Sequence, residues 1–235
     1  MSLPARVHNE ILIDHPITPS PDHRIVIYLH GFASTSASGK ATYLGQRLRD
    51  RGIAFDAPDL NLPDFSTLTV TRMLEQTHAL LEKAGRPVTV IGSSLGGFVA
   101  VNAAAKWPAL VERVVLMAPA LDFSHTGLSG PGGVSIEQWR RAGQLNIFHF
   151  GYGRMVPIHY ELYADARRYN AMDAVLEMPV LVFQGKHDTA VSPATVEAWS
   201  RRRPNVELHM LDDDHQLTSS LSYIWEKTET FLSIG

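Results

Sequence analysis

The stretch Gly92-Ser93-Ser94-Leu95-Gly96-Gly97 decides how the rest of the chain is interpreted. It directly follows an apolar run at residues 88–91 and directly precedes a helical stretch at residues 98–106. Ser94 has a glycine two positions before it and two positions after it, which is what a sharp turn from a strand into a helix needs. The pattern predicts that this turn presents the Ser94 hydroxyl above the end of a sheet. An ordinary glycine-rich turn without chemistry is the alternative.

Apolar runs rich in β-branched residues alternate with amphipathic segments on both sides of this turn, which is typical of buried parallel strands separated by helices. The predicted strands cover residues 24–29, 53–57, 87–91, 113–117, 179–183 and 206–211, with an antiparallel edge strand at 10–14. The predicted helices cover residues 40–51, 68–84, 95–106, 194–203 and 217–232. This order predicts an α/β fold, in which a mostly parallel central sheet carries helices on both faces.

Residues 121–178 interrupt the alternation of strands and helices. The segment opens with four glycines within residues 127–133 and continues with the aromatic residues Trp139, Phe148, Phe150, Tyr152, Tyr160 and Tyr163. We interpret it as a small cap over a pocket, with helices packed on the sheet edge as the alternative. A chain of 235 residues with 45% hydrophobic residues can fill one sizeable core, so we expect a single domain over residues 1–235 that carries this insertion.

Composition and charge exclude several classes of function. The formal net charge of −3 gives no basic excess to neutralise phosphates, so nucleic acid is not an expected partner. The absence of cysteine excludes disulfides, thiolate metal sites and a cysteine nucleophile. No run reaches the roughly 18 apolar residues of a membrane span, and prolines interrupt the region where a secretory signal would lie. We therefore expect a cytoplasmic protein.

A serine hydroxyl is a weak nucleophile near neutral pH unless an imidazole takes its proton and a carboxylate orients that imidazole. Among the 11 histidines, His215 lies just beyond the predicted strand at 206–211. Asp188 lies just beyond the preceding predicted strand at 179–183. Because the carboxyl ends of parallel strands meet at one edge of a sheet, we predict that Ser94, Asp188 and His215 form a catalytic triad there.

Competing groups lie beside each member of this predicted triad. Ser93 is the rival hydroxyl, but glycines do not flank it at the required offsets. Asp122, beyond the predicted strand at 113–117, is the rival acid. We interpret the acidic run at residues 212–214 as a solvated loop. No role is assigned to four further histidines, which are His125, His149, His159 and His187.

The motifs Tyr28-Leu29-His30-Gly31-Phe32, Gly92–Gly97, Gly185–Asp188 and Asp214-His215 together resemble the α/β-hydrolase superfamily, and the likeness spans nearly the whole chain. Within that superfamily the chain resembles the small serine carboxylesterases and acyl thioesterases. Their His-Gly-Phe loop is followed by small residues and a lysine, as it is at residues 34–40 here.

This resemblance implies a triad in the chain order serine, acid, histidine, which the order Ser94, Asp188, His215 matches. It also implies an oxyanion hole formed by two backbone N–H groups. One belongs to Phe32, after the first strong strand, and the other to Leu95, at the N-terminus of a helix where negative charge is favoured.

Together these features predict a serine hydrolase that cleaves carboxylic esters or thioesters of small molecules through an acyl-Ser94 intermediate, without a metal or an organic cofactor. The same triad serves carbon–carbon bond hydrolases and cofactor-free perhydrolases, so both are alternatives, as is a non-catalytic binding protein on the same fold. Haloalkane dehalogenases and epoxide hydrolases share the fold but need an aspartate in place of Ser94, and they are disfavoured.

Overall fold

Six strands form the central sheet of the computed structural model, which describes residues 24–126 and 134–234. In chain order the strands are β1 (Ile25–Leu29), β2 (Ala54–Asp56), β3 (Val88–Ser93), β4 (Val111–Met117), β5 (Gln144–His149), β6 (Arg154–His159), β7 (Val180–Gly185) and β8 (Val206–Leu211). The helices are α1 (Gly39–Asp50), α2 (Val70–Lys83), α3 (Leu95–Lys106), α4 (Phe123–Thr126), α5 (Ile136–Ala142), α6 (Glu161–Ala166), α7 (Pro193–Arg201) and α8 (Leu221–Leu232). The sheet has the order β2-β1-β3-β4-β7-β8, and each neighbouring pair in it is parallel.

The predicted α/β architecture is confirmed, and all six predicted strands of the parallel sheet occur. The predicted edge strand at residues 10–14 lies outside the described residues. The last helix begins at Leu221 rather than at Leu217, because Leu217 has a φ of 55° and a right-handed helix cannot pass through it. None of the helices within the described ranges is long and apolar enough to cross a membrane.

Side chains of the sheet alternate between two separate hydrophobic layers. In β1, Ile27 and Leu29 pack on the side of α2, α3 and α7, whereas Val26 and Tyr28 pack on the side of α1 and α8. All four of these side chains are buried. Because both faces are covered, the strands appear in the sequence as continuous apolar runs instead of alternating ones.

The described residues of the 121–178 segment, 121–126 and 134–178, contain three short helices, α4 to α6, and the antiparallel hairpin β5–β6. No hairpin was predicted here. Burial alternates along β5, but the exposed Phe148 is apolar, so the sequence does not show the two-residue alternation of a half-buried strand. Ile147 and Ile158 point inward and join the same hydrophobic cluster as α2 and α3. The glycine-rich stretch at 127–133 lies outside the described residues, and the single domain and the role of this segment as a cap stay predictions.

Candidate active site

Ser94 stands at the sharp turn between β3 and α3. Its φ of 53° and ψ of −117° lie in a region that costs a non-glycine residue about 1–3 kcal/mol. Serine before a helix usually caps it through the hydroxyl, yet Ser94 makes no such hydrogen bond. The strained turn therefore leaves the Ser94 hydroxyl available to another partner, as expected of a nucleophile at this position in the fold.

The glycines that flank Ser94 are required by close contacts with the backbone. A Cβ at Gly92 would lie 2.5 Å from the carbonyl oxygen of Gly96. A Cβ at Gly96 would overlap the carbonyl oxygen of Leu29, at the end of β1. The Gly96 carbonyl belongs to α3 and the Leu29 carbonyl to β1, and regular backbone of this kind cannot rotate away, so neither position accommodates a side chain.

The structure brings the three predicted triad residues together. The Nε2 atom of His215 lies 3.1 Å from the Oγ atom of Ser94. On the other side of the ring, the Nδ1 atom of His215 lies 2.8 Å from the Oδ2 atom of Asp188. Ser94 follows β3, Asp188 follows β7 and His215 follows β8, so the sheet places all three side chains at the carboxyl ends of its strands.

Asp188 is a buried carboxylate held by four donors. Besides His215, the side-chain amide of Gln184 donates to Oδ2 at 3.0 Å, and the N–H groups of Ala190 and Val191 each donate to Oδ1 at 2.8 Å. Burial by itself raises the pKa of Asp188, but the hydrogen bonds from His215 and Val191 outweigh it and hold the pKa below its ordinary value. The ionised form of Asp188 therefore faces the imidazole.

Gln184 was not predicted as part of the site. It is the fifth residue of β7 and is completely buried, and its amide also donates to the carbonyl of Gly185 at 3.1 Å. The signal in the sequence is a polar residue at the end of an otherwise apolar strand, because a buried amide must find partners. That signal indicates a hydrogen bond but does not identify Asp188 as its acceptor.

Lys40 supports the loop that carries His215. Its Nζ atom donates to the carbonyl oxygen of Gln216 at 3.0 Å and so joins the start of α1 to that loop. Burial lowers the pKa of Lys40 to about 8, against the opposite effect of Asp188 and Asp214. The sequence resemblance includes this lysine but does not give its contact.

The two predicted oxyanion donors lie beside the Ser94 turn. The loop at residues 30–33 is called the oxyanion loop below, after the role predicted for Phe32. It passes close to Ser94, since a Cβ at Gly31 would lie 3.2 Å from the Ser94 Cβ. Neither the N–H of Phe32 nor the N–H of Leu95 donates a hydrogen bond to another described residue. Both N–H groups are therefore available to an oxygen atom bound next to Ser94.

Contacts away from Ser94 hold the oxyanion loop in place. The buried ring of His30 accepts the N–H of Leu60 through Nε2 at 3.0 Å and donates from Nδ1 to the carbonyl of Gly31 at 2.9 Å. The side-chain amide of Asn61 donates to the carbonyl of Ser34 at 2.7 Å. The side chain of His30 therefore supports the loop through hydrogen bonds at both ring nitrogens.

The rival groups lie elsewhere or have other partners. Ser93 is buried as the last residue of β3, and His215 pairs with Asp188 and not with Asp122. The acidic run is not simply solvated, because the buried Asp213 accepts the N–H of Ser220 just before α8.

The histidines without a predicted role differ in their surroundings. His187 pairs at the surface with Asp212, at 2.6 Å. His149 is buried, His159 is half-buried in β6, and the side chain of His125 lies outside the described residues. Within residues 24–126 and 134–234, no three histidine or carboxylate side chains converge to hold a metal ion.

Solved structures with this architecture place the chain in a known class of fold. It is similar to Est1E from Butyrivibrio proteoclasticus with ferulic acid bound, with a TM-score of 0.77 and 21% identity over 89% of this chain and 88% of that chain. It is similar to alpha/beta hydrolase domain-containing protein 10 from mouse, with a TM-score of 0.72 and 20% identity over 89% of both chains. It is also similar to the monoacylglycerol lipase of Paleococcus ferrophilus, with a TM-score of 0.71 and 16% identity over 92% of this chain and 96% of that chain. The fold is the α/β-hydrolase fold.

A narrower placement comes from the sequence. The model of the uncharacterised protein family UPF0227 matches residues 25–231, which is most of the chain, and the chain belongs to that family. No curated protein matches the chain significantly.

Proposed function

We propose that the protein is a serine hydrolase that cleaves carboxylic esters or thioesters of small molecules. The observation that carries the proposal is the pair of hydrogen bonds that join Ser94 to His215 and His215 to Asp188. This arrangement supplies the base and the orienting carboxylate that a serine hydroxyl needs in order to act as a nucleophile.

Acylation begins at Ser94. The Nε2 atom of His215 accepts the hydroxyl proton as Oγ attacks the acyl carbonyl carbon, and the carbonyl oxygen takes up negative charge. The N–H groups of Phe32 and Leu95 donate to that oxyanion. When the tetrahedral intermediate collapses, the bond to the alcohol or thiol breaks, and the leaving group takes the proton from His215.

Deacylation repeats these steps with water. His215 accepts a proton from a water molecule, whose oxygen attacks the acyl-Ser94 carbonyl carbon. The oxyanion again accepts hydrogen bonds from Phe32 and Leu95. Collapse releases the carboxylic acid, and Ser94 recovers its proton from His215.

Asp188 acts on the imidazole throughout both half-reactions. Because its pKa is held below the ordinary value, the carboxylate is ionised at neutral pH. Its charge stabilises the imidazolium that forms in each step. In the resting state the Nδ1–H of His215 donates to Asp188, which keeps Nε2 free of a proton.

The choice of acyl substrates is supported by what the similar structures are named for. One of them is bound to ferulic acid, a carboxylic acid, and another is a monoacylglycerol lipase. Two N–H donors beside a serine hydroxyl also suit reactions at an acyl carbonyl best, because negative charge develops on the carbonyl oxygen during attack and the donors stabilise it.

The test is hydrolysis of p-nitrophenyl esters and acyl thioesters of graded chain length, together with labelling by a fluorophosphonate probe. Ser94→Ala should lower kcat by about 10⁴-fold or more and abolish labelling. Ser93→Ala is the matched control, because this neighbouring hydroxyl is buried, and it should keep both properties. Equal rates for wild type and Ser94→Ala, or a wild type that neither hydrolyses these substrates nor reacts with the probe, would overturn the proposal.

A further inference from the structure

The turn between β5 and β6 (residues 150–153) contacts the oxyanion loop directly. The N–H of Phe150 donates to the carbonyl oxygen of Ala33 at 2.9 Å, and the N–H of Gly151 lies 3.5 Å from the same oxygen. Ala33 directly follows Phe32, and its φ of 54° is left-handed, which a non-glycine residue adopts only with support from its surroundings. The β5–β6 turn therefore holds the loop at a strained residue next to a proposed oxyanion donor.

Gly151 fits against the segment that follows the oxyanion loop. A Cβ at Gly151 would overlap the Cγ2 atom of Thr35. The Thr35 side chain cannot easily turn away, because it is β-branched and its hydroxyl accepts the N–H of Ala37 at 3.3 Å. The φ of Gly151 is not left-handed, so an alanine there would meet no backbone strain of that kind. The overlap with the Thr35 methyl is the main reason for glycine at position 151, because the next nearest atoms, Oγ1 of Thr35 and Cε1 of His149, would lie 3.2 and 3.3 Å from the Cβ.

His149 closes the same turn from inside. Its Nδ1 atom accepts the N–H of Tyr152 at 3.1 Å, and its ring stacks on the Tyr152 ring with centroids 3.7 Å apart. The ring also meets the edge of Phe65 at 4.6 Å, and Phe65 lies 5.5 Å from the ring of Phe32. Burial lowers the pKa of His149 and outweighs the opposite effect of Asp59, so the ring stays neutral and Nδ1 stays an acceptor.

We propose that the β5–β6 turn positions the oxyanion loop, with Gly151 and His149 as the positioning residues. The inference rests on the proposed serine hydrolase function, because it gives the turn a part in stabilising the oxyanion. The N–H donors act on charge that develops in the transition state and much less on the bound ester, so the turn controls kcat more than KM. Since a 1 Å misplacement can reduce a rate by about 10²-fold, a smaller shift of the loop is still measurable.

The contact between Gly151 and Thr35 allows a test in which a second substitution repairs the first. Steady-state kinetics with p-nitrophenyl acetate are measured for wild type, Gly151→Ala, Thr35→Ser and the double variant. We expect Gly151→Ala to lower kcat about tenfold and to leave KM within about twofold. Thr35→Ser removes Cγ2 but keeps the hydroxyl, so the double variant should return kcat to within about threefold of wild type.

Gly153→Asn is the matched control in the same turn. Gly153 has a φ of 63°, which asparagine tolerates, and a Cβ there would meet nothing within 4 Å. Its kcat should stay within about twofold of wild type, because the substitution does not reach the oxyanion loop. Thermal unfolding of each variant separates a shifted loop from a loss of folding.

If Gly151→Ala does not fold, the pair His149→Leu and His149→Asn makes the same test without a clash. Asparagine keeps an acceptor at the δ position for the N–H of Tyr152, whereas leucine does not. The leucine variant should therefore lower kcat about tenfold, and the asparagine variant should recover most of that loss.

Wild-type kcat in Gly151→Ala, a double variant as slow as Gly151→Ala, or wild-type kcat in His149→Leu would each overturn the inference. Fluorophosphonate labelling of the wild-type protein separates this failure from that of the proposed function. A labelled and active wild type with an unchanged Gly151→Ala variant overturns the inference alone. A wild type with neither labelling nor hydrolysis overturns the proposed function, and the inference falls with it.

Discussion

The turn between β3 and α3, around Gly96, and the β5–β6 turn, around Gly151, both need glycine for a close contact, but the neighbouring atom differs. At Gly96 it is the carbonyl oxygen of Leu29, which belongs to the backbone of the central sheet. At Gly151 it is a methyl group of Thr35, which belongs to a side chain. A second substitution can remove a side-chain methyl, whereas no substitution removes a backbone carbonyl.

This difference distinguishes two kinds of contribution to the same site. The carboxyl end of the sheet holds the groups that would react, and their places are set by backbone packing that tolerates little change. The insertion contacts the oxyanion loop through backbone hydrogen bonds to Ala33, and the fit of Gly151 against the Thr35 side chain is the part that substitution can change. We propose that this fit adjusts the position of one oxyanion donor. Substitutions at the sheet end should therefore abolish activity or folding, and substitutions in the turn should reduce activity and be repairable.

Gly96→Ala should have the largest effect on the molecule. The new Cβ would overlap the Leu29 carbonyl, so we expect a loss of about 3 kcal/mol or more in the free energy of unfolding, together with loss of ester hydrolysis. Urea unfolding measures the first and p-nitrophenyl acetate kinetics the second. Gly39→Ala is the control, because a Cβ there meets nothing within 4 Å. Wild-type stability and activity in Gly96→Ala would remove the contrast between the two regions.

Asp188→Asn should come next, with kcat/KM lowered by about 10⁴-fold and the fold retained. An amide at this position can donate to Nδ1 of His215, so the ring carries its proton on Nε2 instead. A protonated Nε2 cannot accept the proton of Ser94. The measurement is ester hydrolysis across pH 5–9 with circular dichroism as the check on folding. A loss as small as the tenfold expected for the turn would mean that the sheet end and the insertion do not differ in kind.

The same carboxylate should make the free energy of unfolding depend on pH in the acid range. The pKa of Asp188 is lowered on folding from about 3.9 in the unfolded chain. The stabilisation that the ionised carboxylate gives the folded state is therefore complete above about pH 4, and it is lost as the pH falls through the lower pKa of the folded protein. Wild type should therefore lose more free energy of unfolding between pH 5 and pH 3 than Asp188→Asn does. Urea unfolding at pH 5, 4 and 3 provides the comparison, and parallel losses in the two proteins would contradict it.

Lys40→Gln should have the smallest effect on hydrolysis, and it probes the link between the start of α1 and the His215 loop. The pKa of Lys40 is lowered to about 8 on folding, from about 10.4 in the unfolded chain, so the unfolded chain holds more protons between these values. Stability should therefore rise with pH from about 8 to 10 in wild type, relative to Lys40→Gln. Unfolding midpoints at pH 7, 8.5 and 10 test this, and an identical pH dependence in the two proteins would contradict it.

The fold was predictable because its strands are buried on both faces and its helices are amphipathic. Helix α3 was predicted with the bounds that the structure has, since a strong strand and a glycine-flanked serine fix its start. The start of α8 was wrong by four residues, because helical spacing continues back to Leu217 while the actual chain turns there with a positive φ. The β5–β6 hairpin was missed because Phe148 and Met155 are apolar but exposed, which hides the alternation of polar and apolar residues in the sequence.

The triad candidates could be named in advance because their loops follow strands, and parallel strands present their carboxyl ends together. Gln184 could not be assigned to Asp188 in this way, because the partner of a buried amide depends on rotamers and packing. The role of Gly151 was equally inaccessible, since it depends on Thr35, which lies in a distant part of the chain.

The sequence by itself determined the order of strands and helices, the strained turn at Ser94 and the three loops that carry Ser94, Asp188 and His215. These features depend on local patterns, namely hydrophobic runs, flanking glycines and position relative to a strand end. Only the tertiary structure decided which donors hold Asp188 ionised and which turn of the insertion meets the oxyanion loop. Those contacts join residues far apart in the chain, and their geometry is set when the sheet and the insertion pack against each other.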